Sequence, residues 1–154
     1  MKRQTLLYSL VMVALAMPVA ALAQVTTLSL SVKGGGLEVD AFVDFMNNGE
    51  AVIAKFDILY DAETFDLMGN PRLGEALLHT DFVVTSKQVS PGHLRVIIMP
   101  PVRNPLPAIP NGSVVKVSFK AKGEVKGGWD LNNILLGDGD AKPISFHKKI
   151  AEAN

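Results

Sequence analysis

AVIAKFDILYDAETFDLM, residues 51–68, is the stretch whose reading decides the fold. In an extended chain Phe56, Ile58 and Tyr60 fall on one side, and Lys55, Asp57 and Leu59 on the other. Period-two alternation over so short a run marks a strand with one buried face. The polar tetrad Asp61-Ala62-Glu63-Thr64 breaks the pattern, and Phe65 and Leu67 return the chain to the core. Strand, acidic turn and short returning strand make an all-β corner.

Working outward, the same signal recurs on both sides. Val25 to Val32 alternates with Val25, Leu28, Leu30 and Val32 as apolar markers, and Lys33-Gly34-Gly35-Gly36 reads as a turn. Leu37 to Met46 sets Leu37, Val39, Ala41, Val43 and Phe45 against more polar partners. Asn47-Asn48-Gly49 then predicts a tight hairpin turn into the central stretch. Downstream, Leu73 to Leu78 is read as a helical turn or an irregular excursion. Phe82–Val89 and Leu94–Met99 are predicted strands flanking a turn at Ser90-Pro91-Gly92. Pro100 to Pro110 holds five prolines, which cannot donate to a ladder, and predicts a stiff loop crossing between edges or sheets.

After that loop, Ser113 to Lys122 alternates strongly, with Val115, Val117, Phe119 and Ala121 inward. Lys126-Gly127-Gly128 is a turn, Trp129 to Leu136 a strand, and Ile144 to Phe146 a closing strand. Seven to nine short strands without helical periodicity give an all-β jelly-roll sandwich, or flattened barrel, of about nine strands.

The two ends are predicted to lie outside this fold. Lys2 and Arg3, the apolar run Leu6–Met17, Pro18 and the small-x-small site Ala21-Leu22-Ala23 have the layout of a signal peptide cleaved before Gln24. The run is shorter than the roughly 20 apolar residues of a bilayer span. The expected division is therefore a signal peptide at 1–23, a sandwich at 24–147 and a frayed tail at 148–154, in a periplasmic or secreted protein. With no cysteine there is no disulfide, so the core must be sufficient alone. Losing Lys2 and Arg3 from 15 basic residues leaves 13 against 15 acidic ones, a net charge of about −2. Such a balance, without clusters, argues against nucleic acid as a partner, and it supplies no polybasic patch to hold a membrane after signal cleavage.

The residues that could carry chemistry form no catalytic constellation. His79, His93 and His147 match no metal spacing and read as solvated loop histidines. Asp138 and Asp140 in Asp138-Gly139-Asp140 are candidate calcium ligands, but the twelfth position of such a loop is Lys149 rather than glutamate, so a turn is preferred. Asp57, Asp61, Glu63 and Asp66 are distributed over a strand face and a turn, which implies no shielded cleft for acid–base work. No serine lies in a G-x-S-x-G elbow. Trp129, the one tryptophan, reads as a core plug rather than part of a sugar-stacking strip.

Phe56-Asp57-Ile58-Leu59-Tyr60-Asp61-Ala62-Glu63-Thr64-Phe65-Asp66-Leu67 resembles the FxFxYDPxxLxF stretch of cohesin domains, with Ala62 where proline is usual. Val115 to Lys122 is similar to that family's "hydrophobic-x-hydrophobic-x-F-x-V-K" strand. Trp129-Asp130-Leu131, then Leu136-Gly137-Asp138-Gly139-Asp140 and Ile144, is similar to its last strands and the loop between them. The resemblance covers most of residues 25–147.

It implies a non-catalytic module that binds a dockerin on another protein, with no cofactor of its own and calcium carried by the partner. It also implies that one sheet face makes the contacts. By alternation, the outward positions on the matching strands are Lys55, Asp57, Leu59, Val83, Thr85, Arg95, Ile97, Lys116, Ser118 and Lys120. Lys55 stands where cellulosomal members would place a short polar or acidic residue. A polysaccharide-binding module of the same fold is the alternative, and a secreted structural or adhesive domain the third reading.

Overall fold

A computed structural model of the chain describes residues 24–123 and 128–151. The expected signal peptide, Lys126 and Gly127 of the expected turn, and residues 152–154 of the expected tail lie outside the described residues. Among the described residues, ten strands form two packed sheets: β1 (Thr26–Gly35), β2 (Glu38–Met46), β3 (Ile53–Leu59), β4 (Phe65–Leu67), β5 (Arg72–Leu73), β6 (Val83–Ser90), β7 (His93–Met99), β8 (Gly112–Ala121), β9 (Asp130–Gly137) and β10 (Phe146–Ile150). One 3₁₀ turn, Glu75–Leu77, follows β5. The first sheet runs β10-β1-β2-β8-β4, with β5 also on β8; the second runs β6-β7-β3-β9. Neighbours are antiparallel except β1 and β10, which are parallel.

Alternation determines what meets in the middle. Leu28, Leu30, Val39, Ala41, Val43, Val117 and Phe119 point from the first sheet onto Ala54, Phe56, Ile58, Leu94, Val96 and Ile98 of the second, all buried. The corner at Tyr60–Phe65 is held by Asp61. One carboxylate oxygen accepts from the Glu63 amide at 2.9 Å, the other from the Thr64 hydroxyl at 2.5 Å. Those two bonds hold the Asp61 carboxyl below its ordinary range.

Four expectations are corrected. Asn47-Asn48-Gly49 does not close a hairpin, because β2 and β3 lie in different sheets. It is a crossover, clasped by the buried Asn47 side chain. Its Oδ1 accepts from the Gly49 and Ala51 amides at 3.1 Å each. Its Nδ2 donates to the Ala51 and Ile109 carbonyls at 2.9 and 2.8 Å. Main-chain groups released from one ladder thus find partners before the next begins.

The tail is not frayed from residue 148. β10 continues to Ile150 against Thr26–Leu30 of β1, and the Ala151 amide donates to the Leu30 carbonyl at 2.8 Å. Its side chains are mostly exposed, so ladder bonds rather than apolar burial hold it, and no hydrophobic pattern announces it. β10 accordingly starts at Phe146 rather than ending there. Lastly, β1 runs on through Gly34 and Gly35, which moves the turn to Gly36-Leu37. The proline-rich loop does cross between sheets, from β7 to β8, and is pinned by the Ile109 amide on the Ala51 carbonyl at 2.8 Å.

Candidate protein-docking face

β3 sits inside the second sheet and turns Lys55, Asp57 and Leu59 to its outer face. Register then assembles rows across that face. Thr85, Ile97, Lys55 and Leu135 make one row; Lys87, Arg95 and Asp57 make the next; His93, Leu59 and Asp130 make a third. Beyond the first row lie Val83, Met99 and Ile53. The face has two halves, an apolar one around Ile97 and a polar one around Asp57.

The polar half is built on a carboxylate with no exposed surface, since Asp57 is 0% accessible although its side chain leaves the core. It is covered by its neighbours. Arg95 donates through Nε to Oδ1 at 2.8 Å and through Nη2 to Oδ2 at 3.0 Å. His93 Nε2 and Asn133 Nδ2 each donate to Oδ2 at 2.7 Å. The Arg95 bonds, then those from Asn133 and His93, outweigh the cost of desolvation and hold this carboxyl well below the usual carboxylate range. The carboxylate pushes the Arg95 guanidinium up in turn.

Two local devices deliver the donors. Between Lys55 and Asp57 the β3–β9 register slips: Asp57 faces Asn132 whereas Lys55 faces Leu135, so Asn133 and Ile134 share one opposite position. Asn133 takes φ of +46°, a left-handed conformation that asparagine tolerates. This bulge swings its amide onto Asp57, tucks Ile134 against the core and leaves Leu135 53% exposed. His93 is placed by the β6–β7 turn. There Gly92, at φ of +78°, sits so close to the end of β3 that a Cβ would come 2.6 Å from the Tyr60 carbonyl oxygen. Its own carbonyl accepts from the Tyr60 amide at 2.9 Å.

The apolar half carries Val83, 50% exposed, and Met99, 37% exposed, beside the half-buried Ile53 and Ile97. Such an apolar surface bounded by polar rows is the composition of a docking patch.

Seven of the expected contact residues therefore share this face: Lys55, Asp57, Leu59, Val83, Thr85, Arg95 and Ile97. Lys116, Ser118 and Lys120 do not. β8 belongs to the other sheet, and these three point from that sheet's outer side. There Lys116 Nζ and Ser118 Oγ hold Asp40 at 2.8 and 2.7 Å, and Lys120 faces Glu38 and Asp66 in register. The fourth strand of the candidate face is β9, which brings Asn133 and Leu135.

His93 is the other residue the sequence reading misassigned, as a solvated loop histidine. The signal was present, because His93 and Arg95 alternate onto the side of β7 that meets Asp57.

Asp138 Oδ1 accepts from the Asp140 and Lys142 amides at 2.9 and 2.8 Å, a turn closed on itself. Among the described residues, no three His, Asp or Glu side chains are grouped to hold a metal ion. Trp129 stacks into the core, its ring 4.8 Å from those of Phe65 and Phe119 and 5.9 Å from Tyr60.

No family model matches the chain. Its fold is that of cohesin modules, as solved structures show. The sixth cohesin of Acetivibrio cellulolyticus scaffoldin B, in complex with a Cel5 dockerin, aligns with a TM-score of 0.64 and 17% identity over 84% of this chain and 96% of that one. A non-cellulosomal cohesin from the archaeon Archaeoglobus fulgidus gives 0.65 and 15% over 84% and 93%. The cohesin module of a Clostridium perfringens family 33 glycoside hydrolase gives 0.60 and 20% over 84% and 98%. The chain is a cohesin-like β-sandwich.

Proposed function

We propose that this chain is a secreted or periplasmic, non-catalytic binding module that docks a calcium-loaded dockerin on another protein. The docking surface is the outer face of β6-β7-β3-β9. One observation carries the reading: this face combines an apolar half, exposed at Val83, Met99 and Leu135 and half-buried at Ile97, with a pre-organised polar half around Asp57. A pre-organised surface with an apolar half and a polar half suits a protein partner, and a dockerin, as the resemblance implies, is a small helical domain. Cohesins of the same fold, including that of A. cellulolyticus, have been solved with dockerins bound. The calcium belongs to the partner in this reading.

The test is a pull-down from the source organism's secreted fraction on the immobilised chain, with and without EDTA. Capture of a protein bearing duplicated calcium loops, lost on chelation, is the expected result. Capture of nothing, or of polysaccharide regardless of EDTA, overturns the reading.

A further inference from the structure

The charges of the docking face do not balance, and the imbalance describes the partner. Two acids lie on the face, and both are already occupied. Asp57 has no exposed surface and takes four hydrogen bonds. Asp130 is paired with Lys148 of β10 at 2.7 Å. Arg95 spends its Nε and one Nη on Asp57. Lys55 and Lys87, by contrast, have no acidic partner or side-chain hydrogen bond among the described residues.

Lys55 is the more telling of the two. It stands in the interior of the patch, between Ile97 on one neighbouring strand and Leu135 on the other. A lysine there can lay its stem along the apolar row and hold its ammonium above it. A partner covering this row must either strip water from an unpaired ammonium or bring a negative group to it. The first is costly once the surrounding surface is dry.

We infer that the partner docks through a helix face bearing an aspartate or glutamate that pairs with Lys55, flanked by apolar side chains that rest on Ile97, Met99 and Leu135. The flanking residues supply area and the acid sets register and selectivity. Lys87, one row away, extends the same preference toward acidic partners. This inference rests on the docking reading and specifies the chemistry of its partner.

The probe is a phage-displayed library built on a calcium-loaded dockerin with its outward helix positions randomised. It is selected in calcium on the immobilised full chain and, in parallel, on Lys55→Glu and Lys55→Met, each checked by thermal melting for an unchanged fold. Binders to the parent chain are expected to be enriched about tenfold in Asp or Glu over Lys or Arg at one helix position. The preference should reverse on Lys55→Glu and vanish on Lys55→Met, and individual clones should weaken about tenfold on Lys55→Glu.

Counter-selection on Ile97→Asp reports whether clones use this face, and clones indifferent to it overturn the inference. So do clones that need Ile97 but show no acidic preference, or the same preference on all three chains; those results leave docking itself standing. Absence of binders to every chain removes the docking reading and the inference together.

Discussion

The outer faces of the two sheets are made by the same alternation and end in opposite states. On the β1-β2-β8-β4 face, charges close on one another within the sheet. Asp40 is held by Lys116 and Ser118, Asp66 by Lys122, and Phe42 lies beneath the ammonium groups of Lys33 and Lys116 at 5.3 and 5.5 Å. On the β6-β7-β3-β9 face, one acid is so fully satisfied that it disappears from the surface, while Val83, Met99 and Leu135 stand exposed and Lys55 and Lys87 have no acidic partner among the described residues. The first face pairs Asp40 and Asp66 within itself. The second is pre-organised at one end and exposes an apolar patch at the other, which is what the proposed docking role requires.

That contrast can be broken by experiment, starting with the largest effect. Ile97→Asp places a charge in the apolar half and is expected to weaken dockerin capture on the order of 100-fold, about 3 kcal/mol, in titration calorimetry. Phe42→Asp, on the opposite face, should leave capture unchanged; equal losses would dissolve the distinction. Next, Asp57→Ala strands the donors of Arg95, His93 and Asn133 and should cost about 2–3 kcal/mol in urea unfolding. Asp40→Ala, whose carboxylate is partly hydrated, should cost less than about 1 kcal/mol.

The acid dependence sharpens the same pair. Because the folded Asp57 pKa lies below its ordinary value of 3.8, its contribution is fully present above about pH 4 and declines as pH falls further. The stability gap between the parent chain and Asp57→Asn should therefore narrow as pH falls below about 4. The smallest effect belongs to Lys116→Ala, with a stability change of less than about 1 kcal/mol and no change in capture. A large loss of capture there would return β8 to the docking surface.

Alternation made the inward residues legible because burial in a strand is a local property. Phe56, Ile58, Val117 and Phe119 face the core as their spacing predicts. Sheet membership is not local. β8 alternates identically whichever sheet it joins, so Lys116, Ser118 and Lys120 could be assigned an outward direction but not a sheet. Asn47-Asn48-Gly49 has the composition of a hairpin turn, and only the reach of the Asn47 amide to Ile109, far along the chain, reveals a crossover. At the site, Asp57 and Arg95 were found by parity. Asn133 was not, because the bulge that aims it exists only in the pairing of β9 with β3.

The parallel pairing of β1 with β10 has a mechanical meaning. Thr26 begins beside Phe146, and both strands run the same way to Leu30 and Ile150. A pull applied at the front of β1 and the back of β10 acts along the strands from opposite ends. The ladder bonds, lying across that direction, must then slide together rather than open one at a time. A module that tethers one protein to another would bear tension through this pair, which lies in the sheet opposite the proposed docking face.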